Sequence, residues 1–389
     1  MPLLHGSLTL ARFLIHGGAP RRLDQGVIDK LADHAIGRRK EPGDGIDAGW
    51  SGGLHVLDTT FDLSKNVLDD CLHFGLRIDT ARCPPELMRA YVRMELEALL
   101  ADRPDARPTA RHRRAARDAA RRRAELEIRQ GRFRRMREYS VMIDSPRDTL
   151  LIAATSSSVH EQLHPLFKAT FGKRLEPLTS GRLAWRYAEE QGQMRRLENL
   201  SPAEFVKFPG GEGQPGVYWT LHDPASRDFL GNEFLLWLWW KADEEGGEIA
   251  LPDASQAAVV FVRQLVLECP WGQNGKDSIL ADGPARLPEA RRAIRGGKLP
   301  RRAGLIVQHR GEQFEFGLLA ESLAVSGANL PKPDEKDRNG SEPDPRERIG
   351  RIRDLCTAID GLFGAFLKQR LEGEFADRVK IVRWLKSVD

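Results

Sequence analysis

The segment Ala101–Arg137 constrains the fold of this chain most strongly, because its side chains cannot fill a protein core. It holds fourteen arginines, five acidic residues and no lysine. Its formal charge is therefore +9, whereas the whole chain of 389 residues carries +4, so the remainder carries −5. Guanidinium groups stay charged and are almost never fully buried unless they are paired. We expect one positive surface element on an acidic body.

Helix-forming signals surround and fill this segment. Pro84–Pro85 suits the first turn of a helix. Apolar residues recur at helical spacing after these prolines, which predicts that a helix begins there. Thr109 is a typical N-cap for a second helix, and Gly131 is a natural stop. Two further prolines separate the helices. The residues from about 84 to 131 are therefore predicted to form a protruding basic helical hairpin.

Within the second helix, the arginines are predicted to share one broad face. At ~100° per residue, seven of them fall within about half of the circumference: Arg111, Arg113, Arg114, Arg117, Arg121, Arg122 and Arg129. The opposite, packed stripe is expected to hold Ala115, Ala116, Ala119 and Leu126. Because a guanidinium donates in a fork that matches phosphate oxygens, the basic face indicates a polyanionic partner.

Three more arginines, Arg132, Arg134 and Arg135, follow the helix and complete the set of candidate DNA-binding residues. Phosphate contacts give affinity without reading base edges, so the set predicts binding to double-stranded DNA with little sequence preference. Two alternatives remain open for this element. A scaffold could dock an acidic protein on the same face, or a solvated helix could pair its arginines with acids.

A hydrolase is a further alternative from a different class. The run His160-Glu161-Gln162-Leu163-His164 fits the pattern of zinc peptidases, which need both histidines on one face of a continuous helix. Pro165 follows directly, and a proline there disfavours helix at the preceding residue. We therefore expect neither a metal site nor another cofactor, and no catalytic residues.

Hydropathy and cysteine usage indicate a cytoplasmic protein. The four cysteines include no Cys-x-x-Cys pair and are interpreted as reduced thiols. No secretion signal is recognisable in Met1–Ile15. The longest strongly apolar run, Phe234–Trp240, is far too short to span a bilayer, so no membrane association is expected.

The remaining periodicities predict an α+β fold of mixed sheets and helices. Alternation over Gly6–Ile15 predicts a strand with Leu8 and Leu10 facing inward. Glu41–Gly53 is predicted to be a loop, and His55–Phe61 a strand. The aromatic, apolar run Phe229–Lys241 predicts a buried helix.

Four regions follow from these patterns. Residues 1–200 are predicted to form an N-terminal region with the hairpin, and residues 201–331 a second α/β region. Residues 332–346 are charged and proline-bearing, which indicates a linker. Residues 347–389 are predicted to form a helical segment, in which apolar residues from Ile349 to Leu367 mark an amphipathic helix.

Several local patterns follow one another in a characteristic order. A Gly-Trp pair precedes the glycine-rich bend at Gly49–Gly53, and Arg77 leads through Pro84-Pro85-Glu86-Leu87 into a helix. Arg132–Met136 then enters a strand, and two later blocks are Gly231–Lys241 and Lys298–Gly304. This order resembles the bacterial recombination-associated protein RdgC family over most of the chain, and the two later blocks are similar to its longer members.

The resemblance implies a homodimer that closes into a ring around duplex DNA. It also implies restraint of RecA-driven strand exchange in recombination or replication, and association with the nucleoid. By position, Phe133 matches an aromatic residue at the family's tip contact, where two subunits close the ring. This chain departs from the compact members in its longer second half and in an arginine-rich helix, where theirs mixes lysine with acids.

Overall fold

The computed structural model describes residues 3–38, 45–101, 107–206, 217, 219, 223–272, 275–331, 344–372 and 375–387. The strands are β1 (Leu8–Ile15), β2 (Ile46–Ser51), β3 (Val67–Leu68), β4 (Cys71–Ala81), β5 (Arg134–Asp144), β6 (Thr149–Ile152), β7 (Leu175–Pro177), β8 (Glu248–Ala250), β9 (Gln256–Glu268), β10 (Asp277–Ala281), β11 (Leu299–His309), β12 (Glu312–Leu319) and β13 (Val325–Asn329). The helices are α1 (Gln25–Asp33), α2 (Leu63–Asn66), α3 (Pro85–Leu99), α4 (Ala110–Arg129), α5 (Ser157–Phe171), α6 (Ser180–Glu190), α7 (Met194–Glu198), α8 (Phe229–Glu244), α9 (Pro288–Arg295), α10 (Pro345–Leu371) and α11 (Ala376–Lys386).

The strands form one antiparallel sheet, and helices cover it, so the mixed α and β class is confirmed. The order along the sheet is β10-β9-β11-β12-β13-β1-β6-β5-β4-β2, with β3, β7 and β8 added on β4, β1 and β9. Strand β1 lies where the two halves of the chain meet. Its first residues pair with β13, and Ala11–Leu14 pair with β6.

The sheet is buried on both faces near β1, which explains why its strands are so apolar. Leu8 and Leu10 face one core, and Phe13 faces the other. On β5, Met142 belongs to the first core and Val141 to the second, because successive side chains point to opposite faces of a strand. The inward positions predicted for Leu8 and Leu10 are confirmed.

The first core is built around α8 and α10. All twelve residues from Phe229 to Trp240 on α8 are buried, as the apolar run predicts. On α10 the apolar positions from Ile349 to Leu367 are buried and pack against α8, with Phe234 edge-on to Phe363 at 5.1 Å between ring centroids. An edge-to-face aromatic pair of this kind contributes about 0.5–1.5 kcal/mol beyond its buried area.

Two sequence predictions near the start of the chain are wrong. Within the predicted loop Glu41–Gly53, Ile46–Ser51 is strand β2, because its backbone pairs with β4 from Ile46↔Thr80 onward. The predicted strand His55–Phe61 is an irregular loop. There the Asp58 carboxylate accepts hydrogen bonds from the Thr60 backbone and side chain, an alternative to strand pairing.

Most of the predicted linker, residues 332–343, lies outside the described residues. Asp344 is the N-cap of α10 and accepts a hydrogen bond from the backbone N of Arg346 at 2.9 Å. The last residues assigned to the linker therefore belong to the start of this helix. Of the helices in the described part of the chain, none is both long enough and apolar enough to cross a bilayer.

Candidate nucleic-acid interface

Helices α3 and α4 form a hairpin that connects β4 to β5. These strands pair along their whole length, from Cys71↔Asp144 to Ala81↔Arg134. Helix α3 starts shortly after Ala81, and α4 ends shortly before Arg134, and the two helices pack on each other. The hairpin therefore continues from one end of the β4–β5 pair. The last residue of α3, Leu99, and the first residue of α4, Ala110, lie at the far end of the hairpin.

Local signals fix both ends of α4. The Thr109 hydroxyl accepts a hydrogen bond from the backbone N of His112 at 3.2 Å, as expected of an N-cap. At the other end Gly131 has φ +85°, its N donates to Ile128 O, and the N of Arg132 donates to Glu127 O. This pair of bonds is a Schellman motif, which satisfies the last carbonyls of a helix and favours glycine at the left-handed position.

The face of α4 that packs on α3 is a row of small residues. Ala116, Ala120 and Ala124 are 0%, 0% and 2% exposed and recur every four residues. The predicted stripe is therefore partly wrong, because Ala115 is exposed and Leu126 is 59% exposed. Residues four apart lie above one another on a helix, and methyl side chains let two helices approach closely.

A polar clasp joins the two helices beside this row. The Tyr91 hydroxyl on α3 donates to Glu127 Oε2 on α4 at 2.7 Å, which raises the pKa of Tyr91 and lowers that of Glu127. The Arg123 guanidinium lies 4.4 Å from the centre of the Tyr91 ring and 3.6 Å from Glu127. Arg123 is thus a structural residue of the hairpin, which explains why it lies off the predicted basic face.

The seven arginines predicted for the basic face are all exposed: Arg111, Arg113, Arg114, Arg117, Arg121, Arg122 and Arg129. Among the described residues, none of their guanidinium groups forms an ion pair or a hydrogen bond. The alternative of a solvated helix neutralised by nearby acids is therefore not favoured by the contacts seen. Seven unpaired charges on one 20-residue helix leave a strong positive field at this surface.

The three arginines after the helix divide into two kinds. Arg134 binds the Asp79 carboxylate through Nη2 at 2.6 Å and Nε at 3.0 Å, and Arg132 lies 3.6 Å from Glu127. Arg135 is exposed and joins no ion pair within the described ranges. We therefore define the basic surface as Arg135 together with the seven exposed arginines of α4.

Asp79 is the centre of a buried charge cluster that the sequence analysis missed. Arg77 binds both Asp79 oxygens, at 2.8 and 2.7 Å, and Arg134 approaches from β5. Arg77 and Asp79 are two apart on β4 and so lie on the same face of the strand, which is the signal available in the sequence. The cluster joins β4 to β5 at the end of the strand pair from which the hairpin continues, which is the root of the hairpin.

Phe133 lies at this root and not at the far end of the hairpin. It follows the helix stop directly, and the next residue pairs with Ala81 at the end of β4. Phe133 is thus a root residue of the helical hairpin, and its contact with a second subunit remains a prediction. Its φ is +63°, in the left-handed region that is uncommon for an aromatic residue, and its side chain is half-buried.

The prediction that Pro165 disfavours helix at His164 is wrong. Helix α5 runs unbroken from Ser157 to Phe171 with Pro165 inside it. Its buried residues, such as Leu163 and Phe167, pack in the second core, and this packing outweighs the cost of proline, about 3 kcal/mol.

The two histidines pack against the sheet. Their rings lie edge-on to Phe13 with centroids 5.0 and 5.4 Å away, and His160 Nε2 is 3.0 Å from Ala154 O. Burial lowers the pKa of both imidazoles. Among the described residues, no group of three His, Cys, Asp or Glu side chains is placed to hold a metal ion.

The basic surface is thus the strongest candidate for a functional site in the described chain. It is one face of α4 together with one adjoining strand residue. Tyr91 and Glu127 join α4 to α3, and the two helices lead from and into the paired strands β4 and β5. The chain matches no protein-family model and no curated protein.

Proposed function

We propose that this protein binds double-stranded DNA through its phosphate backbone, with little sequence preference and without catalysis. The observation that carries the proposal is the set of eight exposed arginines on the basic surface, none of them paired within the described residues. A 20-residue helix is about 30 Å long, close to one turn of duplex DNA. Charges along that length can contact several phosphates at once.

The chemistry of these side chains favours backbone contacts over base recognition. Guanidinium groups bind phosphate oxygens in a two-pronged geometry, and each neutralised phosphate releases condensed counterions. Contacts of this kind set the affinity and the position of the protein but carry no sequence information. We infer an accessory protein of the nucleoid that acts by occupying DNA.

We expect the affinity for duplex DNA to fall steeply with salt. If about six phosphates are contacted, a plot of log K against log salt concentration has a slope of about −5. Random and defined duplexes of equal length should bind alike. A titration by fluorescence anisotropy at several salt concentrations measures both properties. An affinity that is independent of salt, or strongly selective for one sequence, would contradict the proposal.

The second candidate is a scaffold that docks an acidic protein. The observation in its favour is that the hairpin also exposes apolar side chains, with Met94, Leu99 and Leu126 each about half exposed or more. A protein partner would use such side chains together with the charges, whereas phosphates would use the charges alone. Absence of DNA binding at low salt would favour this candidate.

The resemblance to the RdgC family extends the proposal to a homodimer that closes a ring and thereby restrains RecA-driven strand exchange. The feature that supports a special role for Phe133 is its backbone, because a left-handed conformation at a non-glycine residue costs of order 1–3 kcal/mol and concentrates at functional sites. On this proposal its ring contacts the second subunit at the root of the hairpin.

A closed ring must open before it can leave circular DNA. We therefore expect wild-type protein to dissociate more slowly from closed circles than from linear DNA of equal length. The Phe133→Ala variant should lose this difference between the two dissociation rates but should still bind linear DNA. Leu126→Ala, which truncates an exposed apolar residue on the same hairpin, is the matched control. Equal dissociation rates for the wild-type protein on both forms would exclude such a ring.

A further inference from the structure

A polar cavity of about 440 Å³ lies between the sheet and α10, away from the basic surface in the fold. Strand β1 contributes Arg12, the β5–β6 turn contributes Arg147, α6 contributes Arg186, and α10 contributes Thr357 and Asp360. The lining therefore comes from both ends of the chain. Cavities with a few convergent polar groups are the usual form of small-molecule sites.

Each carboxylate on this cavity has an arginine beside it. Arg353 binds both oxygens of Asp144, at 3.0 and 2.8 Å. Arg12 Nη1 donates to Asp360 Oδ2 at 2.9 Å, and Asp360 Oδ1 has no hydrogen-bond partner among the described residues. Asp148 pairs at 2.8 Å with Arg21, which is not part of the lining. Arg353 also binds Asp70, outside the lining, at 2.6 Å, so the cavity and these partners together retain a surplus of one positive charge.

Three arginines retain donors for a ligand. Arg12 is only 6% exposed, and the buried Cys356 thiol lies beside its guanidinium, yet Arg12 Nη2 has no hydrogen-bond partner of suitable geometry among the described residues. Arg186 forms no side-chain ion pair or hydrogen bond in the same part of the chain. The contacts of Arg147 are long. Its guanidinium is 3.6 Å from Asp144, a carboxylate that Arg353 already binds, and 3.4 Å from the Thr357 hydroxyl.

Leaving a buried guanidinium nitrogen without a partner is costly, because the group has lost its hydration and gained no hydrogen bond. An anion in the cavity would satisfy Arg12 Nη2 and offset the charges of Arg147 and Arg186. Phosphate suits this arrangement better than a single carboxylate, because it brings several acceptor oxygens to the planar, forked donors of three arginines.

A less polar pocket adjoins the cavity and would hold the rest of such a ligand. Its volume is about 370 Å³, and it shares Arg186, Thr357 and Asp360 with the first cavity. Its other walls include Tyr187, Pro252 and Phe363, together with the acidic residues Glu190 and Asp253, of which Asp253 pairs with Arg310. A charged compartment beside an aromatic one is the arrangement that a phosphate ester with a flat or apolar group requires.

We propose that this cavity binds a small phosphate ester, with the phosphate held by Arg12, Arg147 and Arg186 and the organic group between α6 and α10. The site is separate from the basic surface and does not depend on the DNA-binding proposal. Calorimetric titration of the full chain with inorganic phosphate and with adenosine monophosphate tests it. We expect saturable binding at millimolar concentrations or below, tighter for the nucleotide.

The variants distinguish this cavity from other basic sites. Arg186→Gln and Arg147→Gln should each weaken phosphate binding at least about tenfold, or about 1.4 kcal/mol, and leave the melting temperature and DNA binding unchanged. The triple replacement of Arg113, Arg117 and Arg121 by Gln should leave phosphate binding intact. The proposal is overturned if wild-type protein shows no saturable binding, if succinate binds in preference to phosphate, or if only the triple variant loses binding.

Discussion

Replacing Arg113, Arg117 and Arg121 together with glutamine is expected to lower the affinity for duplex DNA on the order of 10²-fold near 0.1 M salt. The three residues are exposed, spaced by four on one face of α4, and unpaired within the described residues. If each contacts one phosphate, the slope of log K against log salt should become less steep by up to about three. The melting temperature should barely change, because exposed charges contribute little to stability.

The matched control changes the net charge by the same amount elsewhere. Arg89 and Arg93 are exposed on α3, each within 3.1 Å of a neighbouring glutamate, and Arg383 is exposed on α11. Replacing these three with glutamine should change the affinity and the salt slope much less. If both triple variants lose affinity equally, the effect comes from overall charge, and the basic surface is not the binding site.

Replacing Asp79 with alanine is expected to destabilise the protein by about 3–5 kcal/mol, because it leaves a buried guanidinium without its carboxylate. Arg77 and Asp79 side chains are only 7% and 3% exposed, and Arg134 loses the same partner. The free energy of unfolding from urea titration measures the loss. Under conditions where the variant is folded, DNA affinity should stay the same or rise, since a negative charge near the hairpin has been removed.

A double variant separates the lost ion pair from the lost packing. Replacing Arg77 with methionine and Asp79 with leucine removes both buried charges, and most of the stability should return, because apolar pairs often substitute for buried ion pairs without loss. Arg134→Gln alone should cost far less, since its side chain is nearly half exposed. A loss below about 1 kcal/mol for Asp79→Ala would show that the cluster does not stabilise this end of the β4–β5 pair.

Features that follow from the chemistry of single residues or from strong periodicity could be predicted from the sequence alone. Guanidinium groups in excess of acids have to face water or a polyanion, so the exposure of Arg111 and Arg129 follows from composition and helical spacing. Thr109 and Gly131 mark the ends of α4 because their conformational preferences are local. The uninterrupted apolar run of α8 could only be stable in a core.

Features that depend on partners distant in the sequence were decided by the tertiary structure. The row of Ala116, Ala120 and Ala124 faces inward because α3 lies against it, and Pro165 stays inside α5 because packing outweighs the local cost of proline. Residues Ile46–Ser51 form a strand because their backbone pairs with that of β4. The helix and strand propensities of ordinary residue types differ from one another by about 1 kcal/mol or less per residue, so tertiary contacts of this kind override them.

The charged residues also divide into those whose placement the sequence predicts and those that only the tertiary structure places. The sequence determined that a basic surface exists and which α4 arginines form it. It could not determine that Arg134 is held by Asp79, or that Arg12, Arg186 and Asp360 meet around one cavity. An ion pair depends on a separation of a few ångströms between side chains, and residues 55 or 348 positions apart reach that separation only after the sheet has formed.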